Sequence, residues 1–96
     1  MSMIVVREHF VAKPGCASKL AATWKEIAEA GWAGRFRVLT DITGEFNKVV
    51  LESEFADLAE FERRMNEYGA LDELRERLRG YTDLYQTGGR EIYRVW

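Results

Sequence analysis

The chain alternates between two hydrophobic rhythms. From Met3 to Ala12 it reads MIVVREHFVA, rich in β-branched residues, and this predicts a first strand. Lys13-Pro14-Gly15 ends it, because proline cannot donate to a ladder and glycine accepts a turn conformation. From Cys16 the period changes: Leu20, Trp24, Ile27 and Ala28 share one helical face, and Gly31 and Gly34 stop that helix. Arg35 to Gly44 predicts a second strand with Phe36, Val38, Thr40 and Ile42 on one face. Lys48 to Phe55 predicts a third, and Gly44-Glu45-Phe46-Asn47 joins the two as a hairpin. Asp57 and Glu60 have the spacing of a capping box. Leu58, Phe61, Met65 and Tyr68 continue at helical spacing. Leu71, Leu74, Leu78, Tyr81 and Tyr85 carry it onward after a bend near Gly69-Ala70. Gly88-Gly89 is expected to turn the chain into a last strand, Arg90 to Trp96.

The order β-α-β-β-α-β, with right-handed crossovers and a central hairpin, gives an α+β ferredoxin-like sandwich. It predicts one four-stranded antiparallel sheet in spatial order 4-1-3-2, with helices on one face. Residues 1–96 are expected to form one domain.

Counting in twos separates the sheet's faces. Ile4, Val6, Phe10, Phe36, Val38, Ile42, Val49, Leu51 and Phe55 suit packing against the helices. The opposite set mixes charge with apolar residues: Arg7, His9, Arg37, Asp41, Glu52 and Glu54 beside Val5, Val11, Leu39 and Val50. A half-apolar, half-ionic face on a small domain points to self-association, so these six polar residues are interface candidates.

Composition narrows the class. Of 96 residues, 47% are hydrophobic and 31% charged, as in a globular protein. The longest apolar run, Met3 to Val6, is too short for a membrane span or a signal-peptide core. A net charge of −2 gives no footprint for nucleic acid or an anionic membrane, and neither is expected as a partner. A single cysteine excludes an internal disulfide and suits a reducing cytoplasm.

The βαββαβ pattern, the Lys13-Pro14-Gly15 turn and Trp24 in the first helix resemble the dimeric α/β-barrel superfamily. The nearest likenesses there are the small antibiotic-biosynthesis-monooxygenase-like and NIPSNAP-like domains. The resemblance implies a homodimer in which two four-stranded sheets face each other as a barrel. It also implies a ligand held between sheet and helices of one protomer. Members include cofactor-free oxygenases, haem-degrading enzymes, isomerases and proteins of no known activity. The haem-degrading pattern, an axial His on a helix and an Asn on a strand, is not matched: His9 lies on strand one, Asn47 in the hairpin and Asn66 in helix two. No cofactor is therefore expected.

Few residues point to chemistry by themselves. His9 is the chain's one histidine, the side-chain type best suited to act as a base at neutral pH, but its strand position among charges suits an interface better. A metal site from His9 with Glu52 or Glu54 has no recognised spacing, and no metal is expected. Cys16, at a helix start, reads as a capping-region residue. Arg63-Arg64 and the run from Glu73 to Arg79 interleave arginine with acids, as a solvated helix face does. Tyr81, Tyr85, Tyr93 and Trp96 could line a pocket for a planar ligand or simply pack in the core.

The sequence thus predicts a small homodimeric domain that binds a small apolar or aromatic ligand or mediates association. The alternative is a cofactor-independent monooxygenase or isomerase acting on an aromatic or polyketide-like molecule. Trp24, Phe36, Phe61, Met65, Tyr68 and Tyr81 are the pocket candidates, expected beneath the sheet around a cleft near Gly69.

Overall fold

A computed structural model describes residues 3–32 and 34–96. Strand β1 (Ile4–Ala12) leads into helix α1 (Ala17–Ile27), which widens into a π-helical turn over Ala28–Trp32. Strands β2 (Arg35–Thr40) and β3 (Lys48–Phe55) follow, then helices α2 (Leu58–Gly69) and α3 (Asp72–Arg77). A short 3₁₀ turn, Tyr81–Asp83, precedes strand β4 (Tyr85–Arg94). The sheet order is β2-β3-β1-β4, and every neighbouring pair is antiparallel. This is the ferredoxin-like sandwich the sequence predicts.

Burial alternates along β1 and β3, so Ile4, Val6, Phe10 and Ala12 meet the helices together with Val49, Leu51, Ser53 and Phe55. One core cluster joins these strands to Ile27, Trp32, Phe61 and Leu74; the other packs Leu20 against Phe10 and Val49. Trp24 and Val38 touch both clusters. Burying a large side chain of this kind contributes about 1.5–3 kcal/mol. At the start of α2, Asp57 accepts the Glu60 amide at 2.8 Å, and the Glu60 carboxylate accepts the Ala56 amide at 3.1 Å. Two donors at the helix start are thereby satisfied.

Three expectations are corrected. Strand β2 ends at Thr40, and Ile42 lies beyond it at 97% exposure rather than in the core. The Asp41 carboxylate accepts the Lys48 amide at 2.9 Å, which turns the chain into the hairpin loop at that point. Tyr85 belongs to β4 rather than to a helix, because the helical run is broken after Arg77 and Gly80 adopts φ +80°. Gly88 and Gly89 lie inside β4, opposite Phe10 and His9, rather than in a turn before it. A Cβ at Gly88 would stand 2.7 Å from Phe10 Cδ1, so the bare backbone there makes room for the ring. No described helix is long and apolar enough to cross a membrane.

Candidate functional site

The inner face of the sheet is not sealed. A cavity of about 190 Å³ lies between β1, β3 and the helices. Its wall is apolar: Trp24 and Ile27 from α1, Trp32 from the π turn, Met65 and Tyr68 from α2, and Leu74 from α3. Leu51 of β3, Gly69 at the end of α2 and Leu78 after α3 complete that wall. Edge-to-face contacts fix the aromatic part, with Trp32 at 5.5 Å from Phe55, 6.0 Å from Phe61 and 6.4 Å from Tyr68.

The turn that presents Trp32 is held by Gly31, whose φ of +109° strains any other residue. A Cβ there would also meet Tyr68 Oη at 2.6 Å. Arg64 Nη1 donates to the Gly31 carbonyl at 2.8 Å and approaches Tyr68 Oη at 3.5 Å, which ties α2 to the turn.

Charged groups reach the cavity at one place. Glu8 continues the inward series of Ile4, Val6 and Phe10, so a carboxylate stands on the helix side of β1. Its side chain is 13% exposed, and Oε1 accepts from Arg90 Nε at 2.7 Å. Arg90 is the residue directly opposite on β4, and its Cζ lies 5.3 Å from the centre of the Phe61 ring. Both residues also line a second cleft with Phe10, Trp24, Tyr81 and Tyr85. In that cleft Phe10 stacks on Trp24 at 5.5 Å and Trp24 meets Tyr81 edge-on at 5.6 Å. Burial, reinforced by Tyr85, pushes the Tyr81 phenol above its ordinary range. Trp24 Nε1 is buried without a hydrogen-bond partner among the described residues.

Of the six pocket candidates, the structure gathers Trp24, Met65 and Tyr68 around the cavity beside Gly69. Tyr81 lies in the adjoining cleft. Phe61 is spent in the core against Phe55 and Trp32. Phe36 lies beside a separate cleft on the β2 side with Arg35, Arg37, Glu52 and Glu54. Glu8 and Arg90 lie outside the candidates the sequence offers, and Trp32 is of a suitable residue type for such a pocket without a direction the period fixes. An acid at an inward parity position was the available signal for Glu8, whereas Trp32 follows a glycine that hides its direction.

The outer face carries the remaining candidates. Glu52 accepts from Arg7 Nη2 at 2.7 Å through Oε2 and from Arg37 Nε at 2.9 Å through Oε1. Arg7 chiefly, helped by Arg37, holds the Glu52 carboxyl below the usual carboxylate range against the opposing effect of burial. Arg35 Nε lies 3.9 Å from Glu54. His9 Nε2 lies 4.0 Å from Glu91 Oε1, and no ion pair joins it to Glu52 or Glu54. Among the described residues, no three His, Cys, Asp or Glu side chains gather as metal ligands would.

No family model and no curated protein matches the sequence. Solved structures match the fold closely. An uncharacterised NIPSNAP-like domain protein from Burkholderia xenovorans superposes with a TM-score of 0.81 at 24% identity, covering 94% of this chain and 82% of its own. A NIPSNAP family protein from Agrobacterium tumefaciens gives 0.83 at 15% identity, over 95% of this chain and 90% of its own. A second protein of that family from the same organism, of unknown function, gives 0.83 at 18% identity, over 97% and 87%. At the level of fold, this chain is NIPSNAP-like.

Proposed function

We propose that this chain is a self-associating domain that binds one small apolar or aromatic molecule between its sheet and its helices. The observation that carries this reading is the apolar cavity of about 190 Å³. An apolar cavity of about 150 Å³ suffices to admit benzene, whereas sites for drug-sized ligands start at about 300 Å³. The volume therefore suits a single ring with short substituents.

Association is supported by the outer face, where Leu39 is 39% exposed beside Val50 and the Arg7–Glu52–Arg37 network. These charges are paired within the protomer, which lowers the cost of covering them with a second copy. Toluene added to the full-length chain should perturb the tryptophan fluorescence and the methyl signals of Met65 and Leu74. Sedimentation velocity at micromolar concentration should give a dimer. Unperturbed signals with saturating toluene would remove the ligand reading, and a monomer would remove the assembly.

A cofactor-independent isomerase or oxygenase remains the second reading. It is favoured by Glu8, a carboxylate on the cavity wall that could accept a proton from a bound molecule.

A further inference from the structure

We infer that the Glu8–Arg90 pair is the polar end of the binding site and selects a neutral head group that both donates and accepts a hydrogen bond. The inference rests on the cavity reading above and adds the chemical class of its ligand. The pair borders both the apolar cavity and the adjoining aromatic cleft, and it is the charged part of their shared lining, beside the unpartnered Trp24 Nε1 donor.

That place offers both kinds of partner. Glu8 uses Oε1 for Arg90 Nε, and among the described residues its Oε2 accepts no hydrogen bond. The Arg90 Nη groups likewise donate none, while the ring of Phe61 packs against the guanidinium. A free carboxylate oxygen beside free guanidinium donors matches a primary amide or a hydroxy-carbonyl group. The pair is net neutral, and with Arg90 41% exposed but Glu8 only 13% exposed, a neutral head adds no charge beside a largely buried carboxylate. A carboxylate head would set its charge against Glu8 without a second cation on the cavity wall.

Three probes share one ring and differ in the head: toluene, phenylacetamide and phenylacetate. Titration calorimetry on the full-length chain should show phenylacetamide binding more tightly than phenylacetate. In the double variant Glu8→Met/Arg90→Met, phenylacetamide should weaken about tenfold, the worth of one or two ordinary hydrogen bonds, while toluene stays within twofold. An ion pair replaced by apolar residues of similar volume is commonly tolerated, so this variant should fold. Glu8→Gln is a gentler second variant: it turns the free acceptor into a donor and should invert the preference towards phenylacetate. Tighter binding of phenylacetate by the wild type, or an unchanged order in Glu8→Gln, would overturn the inference. So would parallel losses of toluene and phenylacetamide in the double variant. Failure of toluene to bind the wild type would instead remove the cavity reading itself.

Discussion

The two faces of β1 carry similar residue types and use them differently. Outward, Arg7 shares Glu52 with Arg37 in a network joining three strands, open to solvent at its margins. Inward, Glu8 meets a single arginine beside an apolar space. On the outer face the carboxylate has both oxygens occupied and stays ionised to lower pH. On the inner face one oxygen of the acid is left unused. Charge on a sheet is thus ordinary where it is saturated and informative where it is half-satisfied.

Breaking each face should give effects of different kind and size. Phe55→Ala removes a ring that is 2% exposed and touches Trp32 and Phe61, and should destabilise the domain by about 3–5 kcal/mol in urea unfolding. Leu39→Lys on the outer face should change unfolding of the protomer by less than about 0.5 kcal/mol. Its effect should appear in the sedimentation coefficient instead. An equal loss of stability in both variants would erase the distinction between a core face and an association face.

Two glycines sharpen the comparison. Gly88→Ala places a methyl group 2.7 Å from Phe10 and 3.0 Å from the His9 carbonyl, and should cost about 1–3 kcal/mol. Gly69→Ala, at the end of α2 with nothing within 4 Å of its Cβ, should stabilise by about 0.4–1 kcal/mol. Thermal unfolding of the two variants in opposite directions is the expected result.

The effect that depends on pH belongs to Glu52. Its folded carboxyl titrates below the ordinary value of about 4.3, so its stabilising contribution is complete above that pH. The contribution is lost as pH falls through the depressed folded value. Glu52→Gln should flatten this acid limb and cost about 1 kcal/mol or less at neutral pH, because Arg7 and Arg37 are 41% and 66% exposed and remain solvated. Unfolding curves from pH 7 to pH 3 that coincide for wild type and variant would contradict it.

The fold was legible because strong local signals agreed: β-branched strands, the Lys13-Pro14-Gly15 stop and the Asp57 cap each specify their own boundary. The site was legible only in part. Trp24, Met65 and Tyr68 lie on helical stripes whose direction the period reveals. Glu8 broke its strand's inward apolar pattern, and its partner is 82 residues away, so the pair exists only once β4 has docked. Tyr85 and the glycine pair misled for a related reason, since β4 is an edge strand of almost wholly exposed residues with no buried alternation to read.

The pairing of β4 on β1 gives this inner ion pair a second consequence, for folding fidelity. The ladder already contains an irregularity between Val11 and Ala12, so strand composition alone leaves the alignment of a glycine-bearing edge strand weakly specified. A slip of two positions keeps every side chain on its proper face, yet it sets Glu8 opposite Gly88 or Ile92 instead of Arg90. Either misalignment leaves a largely buried carboxylate without its cation, and such a loss is costly. Glu8 and Arg90 therefore add a penalty against near-native alignments of the closing strand, beside the fit of the Phe10 ring over bare Gly88, which favours the same register without them.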